Sequence, residues 1–417
     1  MKRLLSLLLV VAMLFGVCAM FTACDGSSAS SEKEEEKEEK KSNRVKLSMK
    51  GVTLEEGVVY EDNGIILTAK SIELEDNYVE VYFDLENTSS EYRNISCTNS
   101  VINGLSSSGY GFYQSLYGGE SCEVSLSLYI PELELLQVKT IGHIDFYLDI
   151  SDEYYNSLAT HEKVTVNTSE KGFVHTQKYD GKVLFEKKGV RVTLIETSFK
   201  KEEDHGMYLL VENENKKNIT VSANQVILNG WWLPYGGFYA DLQANTNTVV
   251  LLELDNLEHL GVKKEKDIQN ITFGIWAYDD EYDDIFDVET VSYVPGDKDF
   301  VKELDIGEDV LYEDAIDVVH YKLSADSGQL MVQLYIKNNT NDYCSIYFEN
   351  WTVNGYEVYS SSSISLPENA QCIHTIYLYP EFKIDSLEEL DSFKTNLNLT
   401  SYSDYETIVE TLTLPLD

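Results

Sequence analysis

What this chain lacks narrows its function first. No HExxH, GxSxG, P-loop or GxGxxG stands at a strand–helix junction, and the seven histidines are scattered from His143 to His374. No cysteine or histidine pair has metal-ligand spacing, so neither a catalytic nor a metal centre is expected, and no cofactor. Basic residues are scarce, with 32 Lys and Arg against 72 Asp and Glu. A surface of that sign repels phosphate backbones and anionic headgroups, which excludes nucleic acid as a partner. No long helical period and no βαβ rhythm is present, so parallel α/β folds are excluded as well. The middle third of the chain has no cysteine.

One long apolar run is present, at the start. Lys2 and Arg3 precede an uncharged stretch from Leu4 to Phe21, then Thr22, Ala23 and Cys24. These are the three parts of a secretory signal. Thr-Ala-Cys followed by polar Asp25-Gly26-Ser27 resembles a bacterial lipobox, with Phe21 where Leu is usual. The resemblance implies a signal over 1–23, acylation of Cys24, and a chain held by lipid on the extracellular face of the cytoplasmic membrane. Stable anchoring takes about two acyl chains. Residues 24–50 continue with EKEEEKEEKK from Glu32, a solvated tether with too little apolar surface to fold. That segment is charge-balanced after Cys24, so the net negative charge belongs to residues 51–417. Hydrophobic residues at 43% and aromatics at 12% are enough to pack folded cores beneath that charge.

Residues 51–417 repeat themselves three times. VVYEDNGIILTAKSI from Val58, VLFEKKGVRVTLIET from Val183 and VLYEDAIDVVHYKLS from Val310 open the copies. A strand ending in Asn follows each, at Asn87, Asn213 and Asn338, and sixteen residues on comes Asn-Gly, at Asn103, Asn229 and Asn354. Two markers keeping step through three copies define a repeat unit. Within each unit, runs of five to eight residues alternate apolar and polar and are rich in Val, Ile, Tyr and Thr, which is the pattern of half-buried strands. About seven strands per copy predict an all-β chain of three tandem immunoglobulin-like β-sandwich domains, at 51–168, 180–295 and 307–417. The polar, Gly-bearing connectors read as linkers that few contacts cross. Ala315-Ile316 stands where the other copies have Gly64-Ile65 and Gly189-Val190, so the first hairpin of copy three is expected to differ.

The VLYED-G-I opening, the N…VNG core and the closing strand pair resemble the immunoglobulin-like (telokin-like) repeats of Firmicutes surface lipoproteins of unknown function. The resemblance implies a fold and a compartment, and no activity.

Four cysteines remain beyond Cys24. Cys122 and Cys372 occupy one repeat position, while Cys97 and Cys344 lie on the preceding long strand with like parity. In an oxidising compartment this pattern predicts bridges Cys97–Cys122 and Cys344–Cys372, against the alternative of four buried thiols. Copy two carries NGWWLPYGGFYADL, whose Trp231, Trp232 and Tyr235 are candidates for an exposed binding surface, while Phe238 and Tyr239 read as cross-strand packing. The run from Asp279 to Asp284 is an acidic hairpin tip that could offer oxygens to calcium. Two functions follow: a membrane-anchored binding or adhesion lipoprotein for a glycan, peptide or envelope protein, or a structural spacer of the envelope.

Overall fold

The alternating pattern folds as three β-sandwiches in a computed structural model that describes residues 43–415, apart from 108, 174, 200–204, 255–256, 327–328, 381–385 and 402–406. The first contains β1 (Gly57–Asp62), β2 (Ile65–Glu75), β3 (Tyr78–Asn87), β4 (Arg93–Ile102), β5 (Leu105–Ser107), β6 (Tyr113–Leu116), β7 (Ser121–Tyr129), β8 (His143–Ser151) and β9 (Ser157–Asn167). The second contains β10 (Lys182–Lys187), β11 (Val190–Ser198), β12 (Gly206–Asn213), β13 (Ile219–Leu228), β14 (Trp231–Leu233), β15 (Phe238–Leu242), β16 (Asn247–Glu253), β17 (Ile271–Asp279) and β18 (Asp284–Tyr293). The third contains β19 (Val310–Glu313), β20 (Ile316–Asp326), β21 (Gln329–Asn338), β22 (Cys344–Val353), β23 (Tyr356–Val358), β24 (Ser362–Leu366), β25 (Gln371–Leu378), β26 (Phe393–Ser401) and β27 (Thr407–Thr413).

Each sandwich has the same two sheets. One is four-stranded in the order β1-β2-β3-β7, and the other is β5-β4-β8-β9 with β6 also on β4. The second and third copies repeat this strand for strand, and every pairing is antiparallel. Nine strands stand where about seven were expected, because the long fourth strand takes two short partners, β5 and β6, separated by a bulge. That bulge recurs twelve residues after the repeating Asn, at Asn99, Gln225 and Asn350, each with φ between 51° and 55°. The period-two pattern holds, with Val79, Val81, Phe83 and Leu85 turned inward along β3. The first hairpins of copies one and two turn on Asn63-Gly64 and Lys188-Gly189, all at positive φ. Copy three lacks a positive-φ residue at Asp314-Ala315, so its hairpin turns differently.

Both repeating asparagines are structural. Asn87, Asn213 and Asn338 are fully buried, and each plugs the loop that follows it. Asn338 Nδ2 donates to the carbonyls of Asp342 (2.7 Å) and Pro367 (2.9 Å), while its Oδ1 accepts from the Thr340 amide (2.9 Å). Asn103, Asn229 and Asn354 have φ near 50° before a positive-φ Gly, the requirement of a tight two-residue hairpin turn. Their side chains reach across the sandwich, as when Asn103 Nδ2 donates to Thr140 O (2.8 Å) and Oδ1 accepts from Gly142 N (2.8 Å).

The connectors are not loose. Tyr179 donates to Leu135 O (2.7 Å) and Gln177 Nε2 to Leu136 O (3.2 Å). At the second connector Asn270 Nδ2 donates to Asp297 O and Phe300 O, both at 2.9 Å, and Lys302 N donates to Asn229 O (2.8 Å). Apolar cores run through both joints. Ile195, Leu210 and Val249 of the second sandwich pack into the first core, and Val319, Tyr335 and Ile373 of the third pack into the second.

Candidate functional site

The binding surface expected at Trp231, Trp232 and Tyr235 is not one surface. Trp231 is 3% exposed and Trp232 7%, against 63% for Tyr235. Trp231 donates from Nε1 to Lys302 O (2.7 Å) and meets the Tyr335 ring edge-on at 5.7 Å. Trp232 belongs to the core of the third sandwich. The following sandwich covers the hairpin that carries them, which alternation within one repeat does not reveal.

Neither expected disulfide is formed: Cys97, Cys122, Cys344 and Cys372 carry no bridge. Cys97 lies opposite Leu148 in one sheet and Cys122 opposite Leu85 in the other. Cys97 sits at the start of the bulge, its amide donating to Phe112 O (2.8 Å), and burial pushes its thiol up to about 12. Cys344 places Sγ 3.5 Å from Thr340 Oγ1, beside the Asn338 plug. Cys97, Cys344 and Cys372 pack as small core residues, and Cys122 lies partly buried against the first core. Cys24 lies outside the described residues.

In the acidic turn, the carboxylates of Asp279, Glu281 and Asp283 approach within 4.8 Å of one another. Asp279 is already engaged on both oxygens. Oδ1 accepts the amides of Glu281 (3.0 Å) and Asp283 (3.1 Å), and Oδ2 faces Lys217 Nζ at 2.5 Å. The Lys217 ammonium holds this carboxyl below the usual range. Asp152 closes the matching turn of the first sandwich in the same way, accepting the amides of Tyr154 and Asn156. The aspartate is therefore a turn-closing residue.

A groove of about 600 Å³ lies between the first and second sandwiches; it joins Tyr239 and the acidic turn at 279–282 to Tyr147, Thr160, His161, Asn218 and Tyr278, which the sequence did not single out as a site. On one wall Tyr147 of β8 stacks on His161 of β9, with centroids 5.0 Å apart and planes at 28°. On the other, Tyr278 stacks on Tyr282 at 5.7 Å and 16°, and Tyr239 of β15 stands beside them. Tyr239 is 61% exposed and Tyr282 82%, so their rings face solvent. Asn218, Thr160, Gln243 and Asp280 supply polar edges. His161 holds a left-handed φ of 57°, with its amide donating to Asp149 Oδ1 (2.8 Å). That conformation belongs to the break in the β8–β9 register between Leu148 and Ile150, where β9 carries an extra residue. Partial desolvation of the hydroxyl, with Asp241 and Tyr278 beside it, pushes Tyr239 up to about 12 against the opposing hydrogen bond of Thr220. The groove offers flat apolar ring faces with amide, hydroxyl and carboxylate partners around them. Its walls come from residues far apart in sequence and in separate repeats, so no local motif announces it.

No family model matches the chain, and no curated protein matches it. Solved structures with some likeness include a calcium-binding mutant of Bacteroides uniformis beta-glucuronidase 2, at 9% identity over 52% of this chain and 27% of that one, with a TM-score of 0.19. Amycolatopsis orientalis exo-chitosanase gives 11% identity over 50% and 25%, with a TM-score of 0.16. Escherichia coli alpha-2-macroglobulin gives 10% over 84% and 33%, also at 0.16. The chain spans between a quarter and a third of the length of these proteins. At such scores the likeness carries no argument, and the sandwich architecture stands on the strands and registers alone.

Proposed function

We propose that this chain is a lipid-anchored protein displayed outside the cytoplasmic membrane, and that it binds a glycan, peptide or envelope protein in the groove between its first two sandwiches. The tyrosine-lined groove carries the reading. Exposed ring faces with polar rims recur where partners are gripped, and the groove is large enough for a small ligand. The signal-like start and Cys24 support the anchor. No reaction is assigned to the groove. The buried tryptophan joint favours a second reading, a stiff spacer, because packed modules hold their relative orientation.

Replacing Tyr239 and Tyr282 together by Ala tests the binding reading. Both rings are exposed, so stability should move within about 0.5 kcal/mol per site, while retention on purified cell-wall material should fall at least about tenfold, the loss of roughly 1.4 kcal/mol. Unchanged retention leaves the spacer. Labelled palmitate should enter the chain in cells and should be lost in Cys24→Ala; label persisting in that variant removes the anchor.

A further inference from the structure

The two joints within the chain are one joint used twice. At the first, β5 lies against β16, with Ser106 Oγ 2.8 Å from Thr246 Oγ1. At the second, β14 lies against β25, with Trp231 against Tyr335. These are the same strands of the repeat: the short fifth strand of one sandwich meets the outer face of the first sheet of the next. That receiving face is apolar where it is used. The register pair Leu210–Val249 occupies it in the second sandwich and Tyr335–Ile373 in the third, all four buried.

The same register pair in the first sandwich is Asp84–Glu123, and Lys70 bridges both carboxylates at 3.0 and 2.7 Å. One end of the array is thus capped by charge, as terminal repeats of stacked proteins are. The other end carries one charge on its docking strand, Glu357, at the position where Ser106 and Trp232 are buried in the joints. The third copy of the docking strand, β23, is open: Tyr356 is 66% exposed and Tyr359 fully exposed. Beside it a cleft of about 490 Å³ runs under Tyr359 and Tyr379, with Trp351 buried at its floor and the Trp351 Nε1 without a hydrogen-bond partner.

We propose that the outer end of the third sandwich, around Tyr356–Val358, docks a β-sandwich domain of another protein that presents an apolar sheet face with a neutral or basic rim. The occupant follows from continuity with the internal joints, in which this strand receives just such a face. The sign of the rim follows from exposed Glu357 on the strand itself, which calls for a basic group opposite it, from exposed Glu388 at this end and from the net charge of −40. A second copy of the chain does not qualify, because among the described residues the uncovered face of that kind carries Asp84 and Glu123.

Uncapping that face makes the chain its own probe. Lys70→Ile, Asp84→Leu and Glu123→Val copy the second sandwich into the first, at exposed positions. In sedimentation equilibrium of the soluble chain from residue 25 on, the unaltered protein should remain monomeric. The uncapped variant should associate head to tail, with its weight-average mass rising at least about twofold at tens of micromolar. Adding Tyr356→Glu and Tyr359→Glu should return it to monomer. A folded, uncapped chain that stays monomeric overturns the proposal, as does association that survives the two tyrosine changes. If the triple variant does not fold, Asp84→Leu alone supports the same comparison, with association abolished by the tyrosine changes as the supporting result and its absence as the overturning one.

Discussion

His374 sits fully buried in the third core, stacked on Phe348 at 6.0 Å, with Nε2 2.7 Å from Ser362 Oγ and Nδ1 without a partner. Burial disfavours the imidazolium and lowers its pKa from 6.5 to about 4. The unfolded chain then binds a proton more readily than the folded one. Stability from this residue is therefore complete above pH 6.5 and is lost as the pH falls toward the folded value, by roughly 3 kcal/mol at pH 4. Denaturant unfolding of wild type and His374→Gln between pH 7 and 4 should show the wild type losing that much more than the variant. Parallel curves would mean that the ring is solvated. Nothing in IHTIY distinguishes a core histidine from a surface one, because strand parity names the face and the repeat at that position offers Val250 in copy two. The cysteines taught the opposite lesson: Cys97 and Cys344 share a strand parity and both lie buried, and a buried thiol needs no partner.

At the scale of the element, the repeat was legible because its two asparagines perform geometric tasks that few residues can. The second must take φ near 50° before glycine, and the first must both donate to and accept from a buried loop. Asn213 does so through Lys217 O (3.0 Å), Gln243 O (3.0 Å) and the Asn215 amide (2.9 Å). Asn213→Ala leaves the buried Gln243 carbonyl unmatched, while the part-buried Lys217 carbonyl and Asn215 amide can turn to water; a fully buried orphan costs about 1–3 kcal/mol and the two others less, so the loss should be about 2–4 kcal/mol. Asn213→Asp should be no better, since a carboxylate cannot donate to carbonyls. Urea unfolding should show both variants destabilised by similar amounts; a stable Asp variant would mean that the acceptor alone matters. Strand period and turn chemistry thus exposed the sandwich, its hairpins and the altered turn of copy three. They could not expose the tyrosine groove, whose walls are brought together only by the packing of two repeats.

The array as a whole is coupled through its joints, and the tryptophans show how strongly. Trp231 and Trp232 are candidates for the surface in the sequence because a repeat, taken alone, leaves its short hairpin bare. Covered by the third sandwich, they tie the connector to both cores, Trp231 through Lys302 O and Trp232 through the third core. Truncating a buried tryptophan costs about 3–5 kcal/mol, and here most of that loss falls on the joint. The second and third sandwiches should therefore melt as one unit in the intact chain, and the connector at 295–307 should resist limited proteolysis. With Trp231→Ala and Trp232→Ala together, calorimetry should resolve a separate transition for the third sandwich, and cleavage should begin at 295–307. The sandwich folds of copies one and three contain no Trp at these positions, having Leu105-Ser106 and Tyr356-Glu357. The fold of the second sandwich should accordingly survive the change even as its coupling fails. Two independent transitions already present in the unaltered chain, or nicking there at the same rate, would show that the joint packs without coupling and that the three sandwiches move as separate bodies.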